Sequence, residues 1–186
     1  MRKLKLQMNL STDGFVSGPN GELDWMTWDK DPGIEAAIDA IADSSDTILL
    51  GRKMTDGFVT HWEQQVVKGS GWDRELGERM VNMQKIMFST TVRKATGKNL
   101  RVENGALVDA VTALKRQNGK DIIVYGGVRF VASLIEHALI DEFHLFVNPT
   151  AIGEGKRIFG ARTSLKLSAS KAYPCGIVVN TYVKKP

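Results

Sequence analysis

The sequence predicts an α/β fold, with a mostly parallel central sheet flanked by helices and an antiparallel C-terminal edge. Short apolar segments alternate with segments of helical periodicity along most of the chain, which is typical of parallel strands joined by helices. Strand-like segments follow one another near the C-terminus, which indicates antiparallel pairing. The length of 186 residues and a hydrophobic content of 42% indicate one domain that spans residues 1–186.

The first half of the chain starts with a strand, because apolar and polar residues alternate from Leu4 to Leu10. The alternation predicts a strand that is buried on one face only. After a glycine-rich loop, Asp31 and Pro32 supply the N-cap and the first-turn proline of a helix that ends at Asp43. Three further elements are predicted here: a buried strand at 46–50, an interrupted helical region at 53–84 and a short strand at 85–88.

The second half contains the most strongly predicted strand, the apolar run at 121–125, which ends at Gly126 and Gly127. A weak strand near 100–102 and a helix with apolar residues at 107, 111 and 114 precede it. A helix over 130–137, an alternating strand at 142–148 with one exposed face, and two strands between 165 and 183 follow it.

Composition limits the partners of the chain. The 25 basic and 21 acidic residues are spread along the sequence, so the net charge of +4 favours a small polyanionic ligand over nucleic acid. The three histidines lie far apart, and one cysteine cannot supply a cysteine-based zinc site, so we expect no metal.

The single cysteine and the absence of a long apolar stretch indicate where the protein is located. The lone Cys175 cannot form an intramolecular disulfide, which suits a reducing cytoplasm. The N-terminal segment alternates between polar and apolar residues, and no stretch approaches the ~18 apolar residues of a membrane span. We therefore expect a cytoplasmic protein that makes no membrane contact.

The Gly126-Gly127 pair closes a buried strand and opens a helix. The first free amides of that helix would lie at the carboxyl edge of the sheet, where an anion can bind. Glycine would let a pyrophosphate approach the backbone. A tight strand-to-helix turn without a ligand explains the pair equally well.

Two further strand ends carry phosphate-binding chemistry. The first is Gly51 followed by Arg52 and Lys53, two cations beside helix amides. The second is a run of hydroxyl and basic residues: Ser89, Thr90, Thr91, Arg93 and Lys94. Each alone is explained by a solvated turn, but three such ends in one sheet predict a nucleotide cofactor. Hydride transfer needs no protein nucleophile, so the absence of hydrolase motifs is consistent with a reductase.

The sequence also resembles a known family. The segments S-T-D-G-F-V-S-G, D-W, I-L-L-G-R-K, F-S-T-T, I-I-V-Y-G-G and L-I-D-E-F-H-L-F-V-N-P-T-A-I-G-E-G-K-R-I-F, in this order, resemble the dihydrofolate reductase fold. The resemblance is closest to the branch that contains the C-terminal reductase domain of bacterial riboflavin-biosynthesis deaminase/reductase proteins. It covers nearly the whole chain and implies a dihydrofolate reductase-like three-layer sandwich.

The resemblance implies NADPH as the hydride donor. On this interpretation Gly126, Gly127, Val128 and Arg129 lie along the pyrophosphate. The adenosine 2′-phosphate side is held by residues that follow two other strands: Gly51, Arg52, Lys53, Ser89, Thr90 and the adjacent Thr91.

The resemblance also implies the catalytic side of the pocket. The loop from Asp13 to Trp25 would close over the nicotinamide as a mobile lid, with both residues at the reacting centre. Glu35 falls near the pterin-binding carboxylate of the family. A surface helix glutamate is an equally good interpretation of Glu35.

Two departures bear on the substrate. Met54 stands where the family usually has threonine, and the region near Gln64 and Gln65 lacks the arginine that holds the folate tail. A ribosylamino-pyrimidine phosphate therefore fits better than folate, with Lys156 and Arg157 as candidates for its phosphate.

The interpretation that follows is an NADPH-dependent reductase of a small heterocyclic or ribosylamino-pyrimidine substrate. A nucleotide-binding protein of the same fold without turnover is the alternative, and a nucleic-acid-binding module is disfavoured by the scattered charge. The branch and the alternating strand at 142–148 also suggest a homodimer, with that strand at the dimer edge.

Overall fold

The computed structural model describes residues 1–27 and 31–185. These residues form eight strands: β1 (Leu4–Leu10), β2 (Ser45–Gly51), β3 (Gln84–Phe88), β4 (Leu100–Glu103), β5 (Asp121–Val124), β6 (Glu142–Val147), β7 (Leu165–Ala172) and β8 (Val178–Lys184). They also form five helices: α1 (Pro32–Asp43), α2 (Arg52–Lys68), α3 (Trp72–Asn82), α4 (Leu107–Arg116) and α5 (Val128–Glu136). The predicted order of elements is confirmed.

All eight strands belong to one sheet in the order β4-β3-β2-β5-β1-β6-β8-β7. The strands from β4 to β6 in this order pair in parallel. Strand β8 pairs antiparallel with both β6 and β7. The predicted mostly parallel sheet with an antiparallel C-terminal edge is therefore confirmed.

The position predicted for strand 142–148 is wrong. Strand β6 lies inside the sheet, paired with β1 on one side and with β8 on the other, so it cannot form a dimer edge. The exposed face predicted for this strand is also wrong, because none of the β6 residues is exposed. Phe143 and Leu145 are buried on one face of the sheet, and Phe146 is buried on the other. The edge strands of the described sheet are β4 and β7.

Two apolar clusters cover the two faces of the sheet. One contains Leu4 and Leu6 of β1 and packs against α4 and α5 through Val111, Leu114 and Val131. The other includes Ile48, Leu50, Ile123 and Phe146 and packs against α1, α2 and α3 through Ile34, Ile41, Phe58, Leu76 and Met80. The central leucines and isoleucines are fully buried, and each such side chain contributes about 1.5–3 kcal/mol.

The polar side of β1 is also covered, so the prediction of a half-buried strand is wrong. Lys5 and Gln7 are only 8% and 9% exposed. Lys5 Nζ lies 3.0 Å from Asp121 Oδ2 and donates to Ser44 Oγ at 2.8 Å, which explains how its charge is accommodated. Gln7 has no comparable compensation, because its buried Oε1 atom accepts no hydrogen bond from the described residues.

Asp31 is the predicted N-cap of α1, and the structure confirms it. Its carboxylate accepts hydrogen bonds from Gly33 N at 2.8 Å and from Ile34 N at 3.3 Å. The other oxygen accepts from Cys175 N at 3.2 Å, in the turn between β7 and β8. One buried carboxylate thus caps the helix and joins it to the antiparallel edge.

The described residues contain neither a membrane-spanning helix nor a candidate metal site. None of their helices combines the length and apolar character that crossing a membrane requires. Their histidine, cysteine and acidic side chains form no group of three that could hold a metal ion.

Candidate active site

The parallel strands end at one edge of the sheet, where the predicted phosphate-binding residues follow them. Gly51, the last residue of β2, pairs with Phe88, and Phe88 pairs with Glu103. Strand β5 lies on the other side of β2. Because Leu49 pairs with Val124, the turn from Tyr125 to Gly127 begins beside Leu50 and continues past Gly51. Ser89, which follows Phe88, lies beside Arg52.

Gly51 and Gly127 approach each other closely. A Cβ atom on Gly127 would lie 3.4 Å from Gly51 Cα, and a Cβ atom on Gly51 would lie 2.8 Å from Phe130 Cβ. Gly127 also has φ of +83°, a left-handed conformation that favours glycine. The fold itself requires both glycines, whether or not a phosphate is bound.

The helices that begin at these glycines have open N-termini. Gly51 is the N-cap of α2 and Gly127 is the N-cap of α5, and neither helix has a side-chain cap. The first amides of a helix have no acceptor within the helix, and the helix dipole adds positive potential there. Two such ends in contact form a cradle for an anion with several oxygens.

Basic side chains surround the cradle. Arg52 and Lys53 are exposed in the first turn of α2, and Arg129 is exposed in the first turn of α5. Within the described part of the chain, no carboxylate pairs with any of the three. They are therefore available for charge-assisted hydrogen bonds to phosphate oxygens.

The hydroxyl-rich turn after β3 is fixed by a residue that the sequence analysis missed. Ser89 Oγ accepts hydrogen bonds from Thr91 N at 3.2 Å and from Val92 N at 2.9 Å. The side chain of Asn104 donates to the carbonyl oxygens of Ser89 and Val92. Thr90 and Thr91 remain exposed beside this turn.

The Asp13 carboxylate joins two loops. It accepts hydrogen bonds from Ser11 Oγ at 2.6 Å, from Gly153 N at 2.7 Å and from Ile152 N at 3.2 Å. The Ser11 hydroxyl and the two amides hold the pKa of Asp13 below its ordinary value. Asp13 therefore remains ionised and is occupied in fastening the loops.

The loop from Asp13 to Trp25 has two parts. Residues 15–18 are buried, and Val16 and Ser17 form backbone hydrogen bonds with Lys156 at 2.9 Å. Residues 19–24 are exposed, and Trp25 is half-buried with its Nε1 donating to Glu22 O at 3.2 Å. Only the second part has the few contacts that a lid requires.

Comparison with known proteins agrees with this architecture. The family model for the RibD C-terminal domain matches residues 2–179. The chain belongs to the RibD C-terminal domain family. An uncharacterized protein of Bacillus subtilis (strain 168), YyaP, is 33% identical over 97% of this chain and 94% of its own length. A second one, YwjB, is 24% identical over 92% of both chains.

Solved structures of RibD-type proteins have the same fold. A putative riboflavin biosynthesis protein from Shewanella sp. PV-4 matches with a TM-score of 0.76 and 20% identity, over all of both chains. A diaminohydroxyphosphoribosylaminopyrimidine deaminase/5-amino-6-(5-phosphoribosylamino)uracil reductase from Thermotoga maritima matches with a TM-score of 0.68 and 13% identity. That match covers 99% of this chain and 57% of the Thermotoga protein. The dihydrofolate reductase-like fold is therefore confirmed, and the family is reductase-like.

In this RibD C-terminal domain, Glu35 is half-buried in the first turn of α1. It lies on a different helix from the open N-termini and therefore does not belong to the glycine cradle. Met54 lies against Gly126, because a Cβ atom on Gly126 would be 2.9 Å from Met54 Sδ.

A second missed residue, Asn148, holds the strand ends together. It is fully buried, and its Nδ2 donates to Asn9 Oδ1 and to Phe146 O, both at 3.1 Å. Its Oδ1 accepts from Thr27 N at 2.9 Å, which fixes the end of the first loop. The only sequence signal was a polar residue directly after an apolar strand.

Proposed function

We propose that the chain is an NADPH-dependent reductase of a small heterocyclic or ribosylamino-pyrimidine substrate. The observation that carries the proposal is the contact between two uncapped helix N-termini at the carboxyl ends of neighbouring parallel strands. Membership of a reductase-like family supports the reaction type. The printed activity of the Thermotoga protein, a 5-amino-6-(5-phosphoribosylamino)uracil reductase, supports the substrate class.

The residues present fit a dinucleotide phosphate. Gly126, Gly127, Val128 and Arg129 would bind the pyrophosphate, since α5 offers free amides there and Arg129 adds charge. The 2′-phosphate would be bound by residues after β2 and β3: Gly51, Arg52, Lys53, Ser89, Thr90 and Thr91. NADPH would supply the hydride, and the chain would bind and orient both reactants.

The substrate side would be formed by the first loop and α1. Trp25 would close over the reacting ring and exclude water, and Glu35 would hold a proton or a ring nitrogen of the substrate. Asp13 would act as a positioning residue, because its carboxylate already accepts three hydrogen-bond donors from the loops. Lys156 and Arg157 are candidates for a substrate phosphate, with the Arg157 guanidinium held 4.0 Å from the centre of the Phe15 ring.

The second candidate function is nucleotide binding without turnover. The engagement of Asp13 favours it, because a carboxylate held ionised by three donors is a poor proton donor.

We also propose a cytoplasmic homodimer. The exposed edge strand β7 is the candidate for pairing with a second copy, and light scattering after size-exclusion chromatography would test this.

The test has two stages. Fluorescence titration should show that the protein binds NADPH more tightly than NADH, because only NADPH has the 2′-phosphate. Equal affinities, or no binding, would contradict the cofactor assignment. The absorbance of NADPH should then fall when 5-amino-6-(5-phosphoribosylamino)uracil is added. Tight NADPH binding without this loss, for this and related aminopyrimidines, would favour the binding protein.

A further inference from the structure

Three neighbouring residues on one face of the sheet have buried polar atoms without a hydrogen-bond partner. They are Gln7 Oε1, Tyr125 Oη and His144 Nε2, and the described residues contain no other such side-chain atoms. Gln7 pairs directly with His144, and Leu6 pairs with Val124, so Tyr125 follows on the other side of Gln7. The three atoms therefore come from one row across β5, β1 and β6.

Tyr125 is the member of this row nearest the candidate cofactor site. Its ring stacks on Phe58 of α2 with a centroid separation of 5.8 Å, and its hydroxyl is buried. Burial raises the pKa of Tyr125 well above its ordinary value, so the hydroxyl keeps its proton at neutral pH. Tyr125 also directly precedes Gly126, which places it beside the cradle.

Gln7 supplies an acceptor at the adjacent position of the neighbouring strand β1. Its side chain is on the face covered by α1 and α2, the face to which Ile123 and Tyr125 also belong. At the far end of the row, His144 Nε2 lies 2.6 Å from Glu142 Oε1 without hydrogen-bond geometry, and Nδ1 lies 3.4 Å from Thr181 Oγ1. His144 thus has polar groups nearby, whereas neither Gln7 Oε1 nor Tyr125 Oη has a hydrogen-bond partner among the described residues.

Buried polar groups in folded proteins almost always have partners, and each exception needs an explanation. Two such groups on adjacent strands, beside a candidate cofactor site, are explained if a ligand supplies the missing bonds. The ligand must offer an N–H donor to Gln7 and an oxygen or nitrogen acceptor to Tyr125. A lactam edge, in which a ring N–H stands next to a ring carbonyl, has this arrangement.

We propose that Gln7 and Tyr125 form a substrate subsite that recognises the lactam edge of a heterocycle. The inference rests on the proposed function, since the position beside Gly126 makes this ligand the substrate only if NADPH binds at the cradle. It assigns specificity to two residues outside the predicted catalytic set. It also places the heterocycle on the face of the sheet covered by α1, the helix that carries Glu35.

The first readout is stability. The variants Tyr125→Phe and Gln7→Leu keep the shape of each side chain and remove its unpartnered polar atom. Their Tm should be unchanged or up to about 3 °C higher, because the free protein loses no hydrogen bond. Tyr182→Phe, a half-buried tyrosine packed on the other face, is the matched control. A decrease in Tm of several degrees in either variant would overturn the proposal, since the atom would then have a structural partner.

The second readout is binding of 5,6-diaminouracil, measured by calorimetry with and without NADP⁺. Each variant should bind this probe roughly three- to tenfold more weakly than the wild type and the Tyr182→Phe control. The wild type should discriminate at least about tenfold against 1,3-dimethyl-5,6-diaminouracil, which has no ring N–H. Equal affinity for the two probes, no binding of diaminouracil, or unchanged affinity in both variants would overturn the proposal.

NADPH titration of the same variants separates this inference from the proposed function. Normal NADPH affinity with unchanged probe binding in the variants would reject the subsite and leave the cofactor assignment intact. If the wild type does not bind NADPH, the cofactor assignment is rejected. The affinity of the variants for 5,6-diaminouracil without nucleotide would then still show whether Gln7 and Tyr125 contact the heterocycle.

Discussion

Helix α1 begins with a side-chain cap, whereas helices α2 and α5 begin without one. The first amides of α1 are bonded by the carboxylate of Asp31, which also accepts from Cys175 N. Helices α2 and α5 begin at Gly51 and Gly127 and have no side-chain cap. Helices α3 and α4 also lack a side-chain cap, so a missing cap alone identifies no site. Helices α2 and α5 differ because their N-cap glycines are in contact.

The free backbone amides at the starts of these helices have two different uses. A carboxylate within the chain satisfies the amides of α1, so this helix start serves the fold and cannot bind a phosphate. The amides of α2 and α5 are free to receive acceptor atoms from a ligand. Changes at α1 should therefore alter stability or substrate chemistry, and changes at α2 and α5 should alter nucleotide affinity.

The largest expected effect is on turnover. Glu35→Gln should lower the NADPH-dependent reduction of a confirmed substrate by roughly 10²–10⁴, the range for a lost proton-transfer group. NADPH affinity should stay within about twofold, because Glu35 is on the capped helix. Steady-state kinetics and fluorescence titration measure the two quantities, with Glu136→Gln at the exposed end of α5 as the control. A parallel loss of NADPH affinity would contradict the separation.

The next effect is on the open N-termini. Gly126→Asp should weaken NADPH binding by at least about a hundredfold, since the carboxylate would repel the pyrophosphate and compete for the same amides. The new Cβ would meet only the flexible side chain of Met54, so the fold should persist. Calorimetric titration and circular dichroism test this, and Gly160→Asp, at a position with open space, is the control. Unchanged NADPH affinity in a folded variant would show that the pyrophosphate does not bind at this site.

A smaller effect distinguishes the two dinucleotides. Arg52→Ala should weaken NADPH binding roughly tenfold and leave NADH binding nearly unchanged, because only NADPH presents the 2′-phosphate to the guanidinium. Arg116→Ala, an exposed arginine at the end of α4, controls for net charge. Equal losses for NADPH and NADH would assign Arg52 to the pyrophosphate instead.

The smallest effect is at the capped helix. Asp31→Asn should lower Tm by roughly 2–6 °C at neutral pH and leave NADPH affinity unchanged. Burial of Asp31 raises the pKa of its carboxyl, but the amides of Cys175, Gly33 and Ile34 outweigh burial and hold the pKa below 3.8.

The low pKa of Asp31 also sets the pH dependence. As pH falls below about 5 the unfolded chain binds this proton first, so wild-type stability should decrease. Asp31→Asn should show a flatter acid limb in thermal melts, and the exposed Asp24→Asn should resemble the wild type. A variant with wild-type Tm and acid sensitivity would show that the cap contributes nothing.

Local sequence signals predicted most of the fold. The Asp31-Pro32 pair fixed the start of α1, and short apolar runs identified the strands, because both depend on residues that are neighbours in the chain. The position of β6 could not be predicted. Its alternation is the same whether β8 pairs beside it or the strand remains at an edge, and that choice depends on contacts distant in sequence.

The site was predicted unevenly for the same reason. Gly127 was singled out for phosphate approach, and the structure adds its positive φ and its contact with Gly51, which requires the pairing of β2 with β5. Asn104 and Asn148 were missed because their partners are 12 or more residues away, apart from Phe146. The polar row of Gln7 and Tyr125 was missed because alternation on β1 indicated a solvent-exposed face, whereas α1 and α2 cover it.

The most direct test of the comparison is amide NMR during titration with NADPH. The account predicts large shifts for the amides of Gly127, Val128 and Arg129 and for those of Arg52 and Lys53, which saturate together. The amides of Gly33 and Ile34 in α1 should keep their positions, because Asp31 already binds them. Shifts confined to α1, or shifts of similar size in all three helix starts, would contradict the claim that α2 and α5 form the cofactor cradle.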